Sequence, residues 1–303
     1  MKPNLSVTIA GVELKNPVMT ASGTFGSGME FARFMDLSAL GAVVTKGVAI
    51  TPWAGNPTPR MCETPSGMLN AIGLQNPGLK VFAERDLEFL KDIDTRVVVN
   101  VCGHSEEEYV ECVKALADCE RADLLEINIS CPNVKEGGIA FGTNPKGVEK
   151  ITAAVKAAAA QPVIMKLSPN VTDISEIALA AEAGGADALS MINTLTGMKI
   201  DVNRRTFALA NQTGGLSGPA IHPVAVRMVW QCAQKVHIPI IGMGGIRTAE
   251  DALEMIMAGA SAVSVGTASF HDPESCVKIR DGIEEYLIKN HIEDVRELIG
   301  CVK

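Results

Sequence analysis

Short apolar runs recur along the chain with a helix-length polar and apolar mixture between them. The runs are Pro17–Ala21, Ala42–Thr45, Val97–Val101, Leu124–Ile129, Val163–Leu167, Ala188–Ile192, Ile238–Ile241 and Ala262–Val265. Each has the length and near-continuous hydrophobicity of a strand buried on both faces. Helical periodicity is read over Phe31–Leu40, Leu79–Lys91, Glu106–Cys119, Pro145–Ala159, Ile174–Ala183, Pro219–Val236, Ala249–Ala258 and Pro273–Ile288. Glycine stops several of these segments, as at Gly41, Gly184 and Gly259, where a helix is expected to end. Eight alternating strand and helix units predict an α/β fold, a (β/α)8 TIM barrel. Ahead of them, Val7–Ile9 and Val12–Leu14 around Ala10 and Gly11 read as an N-terminal hairpin able to plug the barrel bottom.

Two connections exceed the short loops usual in such units. One runs from Gly47 to about Gly78 and carries five prolines; the other runs from Thr194 to Gly218. Both leave the C-terminal ends of strands, the barrel face that carries active sites, so they read as lids and specificity loops. Nothing in the composition divides the chain, and residues 1–303 are expected to form one barrel domain. Hydrophobic residues make up 47% and aromatics 4%, so the core must be aliphatic, as in a parallel sheet covered by helices. The formal net charge of −8 argues against a nucleic-acid partner. The N-terminal residues show no basic region followed by a long apolar run, and no stretch reaches the roughly 18 apolar residues of a membrane span. A cytoplasmic protein is expected. The eight cysteines, irregularly spaced, read as reduced thiols, and neither they nor the five histidines form a metal-ligand motif.

Chemistry gathers at the strand ends. In order these offer Ser22, Lys46, Asn100, Asn128, Lys166, Asn193 with Thr194, Gly244 with Gly245, and Gly266 with Thr267. Two lysines and three asparagines converging on one partly buried mouth would be costly without a ligand. The glycines after the seventh and eighth strands suit a phosphate cradle, with Thr267 adding a hydroxyl donor. The lysines could neutralise an anionic ligand, or one could form a Schiff base as in an aldolase. The fourth strand runs into Cys131 and Pro132, flanked by Asn128 and Asn133. Those amides suit a planar amide or imide held beside a base or nucleophile. Lys135 to Gly138 then continue as a charged, glycine-rich stretch able to close over a site.

Together these residues carry a resemblance. Asn128 to Asn133 (Asn-Ile-Ser-Cys-Pro-Asn), Asn70 to Gly78, Thr45 to Gly47, Lys166, Asn193 with Thr194, and Gly242 to Gly245 resemble class 1 dihydroorotate dehydrogenases over essentially the whole chain. Cys131 stands where class 2 members typically carry serine, and the sequence shows none of their additional N-terminal helical segment. Val134 to Gly138 followed by Phe141 to Thr143 is similar to the NAD-linked B type rather than the fumarate-linked A type.

The resemblance implies FMN in this chain and oxidation of (S)-dihydroorotate to orotate in pyrimidine biosynthesis, with Cys131 as the base. It assigns Ser22, Lys46, Gly47, Asn100, Asn128, Lys166, Ile192, Gly218, Gly244, Gly245, Gly266 and Thr267 to FMN. It assigns Lys46, Asn70, Ala71, Ile72, Gly73, Leu74, Asn128, Asn133, Asn193 and Thr194 to the substrate. The chain has no G-x-G-x-x-G after a strand and no cluster-forming cysteine spacing. NAD linkage therefore implies a partner, an electron-transfer subunit carrying FAD and a 2Fe-2S cluster, with two copies of each chain in a heterotetramer around a homodimer core. Competing readings are a flavoprotein similar to dihydropyrimidine dehydrogenase, a Schiff-base aldolase and a non-enzymatic scaffold.

Overall fold

The structure is a computed structural model that describes residues 2–130 and 139–302. Eight parallel strands close into a barrel: β1 (Val18–Thr20), β2 (Ala42–Val44), β3 (Arg96–Val101), β4 (Leu124–Asn128), β5 (Val163–Lys166), β6 (Ala188–Met191), β7 (Ile240–Met243) and β8 (Ala262–Val265). Each pairs with its sequence neighbours, and β8 returns to pair with β1 through Val263 with Val18 and Val265 with Thr20. The TIM barrel inferred from the apolar runs is therefore the fold. The predicted seventh strand starts two residues early, because Pro239 has no N–H to give a ladder and pairing begins at Ile240.

Helices cover the barrel because their apolar residues recur on one face. In Glu106–Leu116 the buried positions are Tyr109, Cys112, Val113 and Leu116, spaced three and four apart. Ser105 caps that helix, its side chain accepting from Glu108 N at 3.3 Å, and three acidic residues in the first turn complement the helix dipole. Ala249–Met257 begins with a capping box between Thr248 and Asp251.

The expected helix over Phe31–Leu40 is instead two 3-10 turns, Phe31–Arg33 and Leu37–Ala39. Asp36 interrupts it: its carboxylate accepts from Ser38 N at 2.9 Å and from Ser38 Oγ at 2.6 Å, which competes with a continuing helix. Leu79–Leu90 is helical, but its middle, Phe82–Leu87, is wound as π-helix.

The hairpin Val7–Ile9 with Val12–Leu14 lies at the N-terminal ends of the barrel strands, where Arg96 Nε, at the start of β3, donates to the Glu13 carbonyl at 3.0 Å. The two long connections are not irregular loops. Met61–Thr64 and Gly67–Asn70 from the first join Leu195–Met198 and Thr213–Ser217 from the second in one four-stranded antiparallel sheet. Gly215 pairs with Asn70 across the join. This sheet sits over the C-terminal face and fixes the position of Asn70.

Burial decides which thiols are reactive. It pushes Cys112 and Cys232 up to about 12 and Cys276 up to about 11, so all three stay protonated and enclosed at pH 8. A disulfide reagent at that pH should therefore modify exposed Cys301 quickly and leave Cys112, Cys232 and Cys276 unmodified until denaturant is added. Peptide mapping that found the buried three labelled as fast as Cys301 would contradict this packing.

Candidate active site

Within the barrel mouth a cavity of about 410 Å³ is lined by residues from all eight strand ends, a size within the range of about 300–1,000 Å³ typical of cofactor and ligand sites. Ser22, Lys46, Gly47, Asn100, Asn128, Lys166, Ile192, Gly218, Gly244, Gly245, Gly266 and Thr267 all line it, as do Asn70, Ile72, Gly73, Leu74, Asn193 and Thr194. Ala71 does not. Its side chain is buried in a small apolar cluster with Leu69 and Leu209. Cys131 and Asn133 lie outside the described residues.

The strand ends hold one another in place. Asn128 Nδ2 donates to Asn100 Oδ1 at 3.4 Å, and Asn128 Oδ1 accepts from Ser130 Oγ at 3.1 Å. Ser130 Oγ in turn accepts from Asn193 Nδ2 at 2.8 Å, and Asn193 Oδ1 accepts from Thr194 N at 2.8 Å. Three asparagines, on β3, on β4 and just past β6, thus form one row connected through Ser130. The end of β4 is also anchored from outside, where the buried Tyr109 hydroxyl donates to the Asn128 carbonyl at 2.7 Å.

Lys166 is 4% exposed. Its Nζ donates to Ser22 Oγ at 3.1 Å and stands 3.4 Å from Glu126 Oε1. Glu126 was not singled out in the sequence: the strand period places it on the same face as Asn128, but nothing along the sequence gives it a partner. Only barrel closure brings Asn100, Lys166 and Ser190 against it. Arg247 and His271 also line the cavity beside the glycine turns; the sequence signal for Arg247 is its place two residues after Gly245.

The cavity suits a flavin mononucleotide. Gly47 allows close approach of the β2 end to β3, since a Cβ there would stand 2.6 Å from both Asn100 Oδ1 and Cys102 Sγ. Gly244 and Gly245 turn the chain after β7 with φ of +129° and +70°, leaving backbone groups at the cavity wall. Ser264 Oγ on β8 is buried there without a hydrogen-bond partner among the described residues. An unpaired buried hydroxyl is costly, and a polar ligand in this cavity would relieve it. Among the described residues no group of three or more His, Cys, Asp and Glu side chains could hold a metal ion, and no helix is long and apolar enough to cross a membrane.

Comparison with known proteins agrees with this geometry. The family model described as dihydroorotate dehydrogenase matches residues 4–287. A relative from Lachnoclostridium phytofermentans, the catalytic subunit of dihydroorotate dehydrogenase B (NAD(+)), is 66% identical over 300 residues, covering 99% of this chain and all of the relative. A protein of the same description from Alkaliphilus oremlandii is 59% identical and covers 98% of each chain. The solved structure of the Eimeria tenella enzyme in complex with ferulenol superposes with a TM-score of 0.82 at 26% identity, covering 98% of this chain and 88% of that one. With its closed barrel, its polar strand ends and a match along nearly its whole length, this chain belongs to the dihydroorotate dehydrogenase family.

Proposed function

We propose that this chain is the catalytic subunit of a B-type, NAD-linked dihydroorotate dehydrogenase, which oxidises (S)-dihydroorotate to orotate in pyrimidine biosynthesis. The observation that carries the reading is the convergence of Lys46, Asn70, Asn100, Asn128, Lys166, Asn193 and Thr194 on one cavity, in a chain so similar to such subunits.

FMN bound in the cavity would supply a two-electron acceptor for the hydride leaving substrate C6. Ser22, Gly47, Asn100, Ile192, Gly218, Gly244, Gly245, Gly266 and Thr267 would hold it, Lys46 and Asn128 would touch both it and the substrate, and Lys166 would counter negative charge. The row of asparagines offers donors and acceptors at fixed spacing, suited to the amide edges of a dihydropyrimidine ring. Asn70, Ile72, Gly73 and Leu74, on and after the sheet over the mouth, would close the substrate side with Asn133, Asn193 and Thr194. Ala71 would support this segment through its buried side chain. Lys46 would bind the substrate carboxylate. Cys131 would take the proton from C5, and the segment after it would exclude water. Electrons would leave through an electron-transfer subunit carrying FAD and a 2Fe-2S cluster, in a cytoplasmic assembly of two copies of each chain.

The test is a visible spectrum of the purified chain before and after anaerobic dihydroorotate. Flavin bands should be present and should bleach, while NAD added to the lone chain should be reduced slowly. Bands that persist would remove the substrate from the reading, and rapid NAD turnover by the lone chain would remove the need for a partner.

A further inference from the structure

Below the cavity, the carboxylate of Glu126 in β4 is 1% exposed. A charge at that depth is tolerated only when paired and hydrogen-bonded. Its Oε1 accepts from Asn100 Nδ2 at 2.6 Å and faces Lys166 Nζ at 3.4 Å. Its Oε2 accepts from Ser190 Oγ at 2.7 Å. Lys166 continues the chain of contacts to Ser22 Oγ at the end of β1. Asn100, Lys166 and Ser22 line the cavity, whereas Glu126 and Ser190 do not. One carboxylate therefore holds two cavity-wall side chains from behind.

Stability gives no reason for this arrangement. Buried ion pairs contribute little net free energy, and well-packed apolar side chains of similar volume often do as well or better. A carboxylate here does what an apolar residue could not. It fixes the direction of the Lys166 ammonium and the Asn100 amide, and its negative charge offsets much of the Lys166 field at the cavity wall.

We propose that Glu126 is a positioning residue for the flavin site, tuning through Lys166 how strongly the pocket favours reduced over oxidised FMN. The inference rests on the flavin reading above. With Glu126 ionised, the pocket presents a partly neutralised ammonium. With a neutral isostere in its place the pocket becomes more positive, so the more electron-rich reduced form gains affinity over the oxidised form.

The experiment measures FMN affinity by fluorescence titration of apoprotein, and the midpoint potential of bound FMN by dye equilibration, for wild type, Glu126→Gln, Glu126→Asp and Ser190→Ala. Glu126→Gln should favour reduced over oxidised FMN by about tenfold more than wild type, a positive shift of about 30 mV for a two-electron couple. Glu126→Asp, which keeps the charge, should lie close to wild type. Ser190→Ala removes the Oε2 donor but keeps the carboxylate, leaving its negative charge less compensated, and should shift the potential in the opposite direction by a smaller amount. It provides the decisive reading if Glu126→Gln does not fold. A folded Glu126→Gln protein at the wild-type potential, or shifted negatively, overturns the inference; so does an unmoved Ser190→Ala potential where Glu126→Gln fails to fold. Wild-type chain that binds no FMN overturns the flavin reading itself.

Discussion

Replacing Cys131 with alanine is expected to slow reduction of bound flavin by dihydroorotate by about 10²- to 10⁴-fold, the usual contribution of a positioned base. Dihydroorotate affinity should change little. The base acts on a proton that is in flight only in the transition state, so its loss falls on the rate of the step rather than on ground-state binding. Anaerobic stopped-flow reduction at several substrate concentrations separates the two. A matching loss of affinity and rate would mean that the substitution disrupts the segment after β4 instead of removing a base. In the unsubstituted protein the reduction rate should rise with pH toward the thiol value, which is about 8.5 for an unperturbed cysteine. The sign follows from the chemistry: only the thiolate can accept the C5 proton, and its fraction grows as pH approaches the pKa from below. A rate flat from pH 6 to 9 would point to another base or to a rate-limiting closure.

The second large effect is expected at Gly245. Its φ of +70° is left-handed, and a Cβ there would lie 2.7 Å from the Gly218 carbonyl oxygen, 2.8 Å from His222 Cβ and 2.9 Å from His222 N. Two of these three neighbours are backbone atoms. The turn is also held from the other side, since His222 Nδ1 lies 2.9 Å from the Gly244 carbonyl oxygen and its Nε2 3.2 Å from Glu254 Oε2. Gly245→Ala must therefore either keep a strained conformation or shift the turn, and should lower stability by roughly 2–4 kcal/mol. A shifted turn misdirects donors toward an anionic ligand. Losing two charge-assisted hydrogen bonds at about 1.5 kcal/mol or more each would weaken FMN binding by about 100-fold. Gly266→Ala is the control for the fold, because its Cβ would meet nothing nearer than Ala21 Cβ at 3.6 Å. Thermal unfolding of the two apoproteins should separate them clearly, and equal melting temperatures would show that the turn after β7 yields easily.

These expectations draw on different layers of the chain. Eight apolar runs and the helical periods between them determined the barrel, because a strand buried on both faces must be apolar throughout and a covering helix must show its period. The polar residues that end those runs were equally legible, since each breaks a local pattern. The departures have local causes: Asp36 offered its own backbone neighbours a stronger bond than a continuing helix, and Pro239 delayed the start of β7. Composition alone could not show that the two long connections fold together, because the strands Gly67–Asn70 and Thr213–Ser217 find each other about 145 residues apart.

What the sequence determined by itself was the fold, the identity of the strand-end groups and the cysteine beside them, all of which are local signals. What only the tertiary structure decided was how those groups act on one another. Ala71 buried its side chain with Leu69 and Leu209, and the glycine turn came to rest against His222. Glu126, which shares a strand face with Asn128 but has no partner legible in the sequence, was brought behind Lys166 by closure of the barrel. Such pairings depend on distances between strands that sequence spacing does not encode, and at those short, buried distances a single charge is strong enough to govern its neighbours.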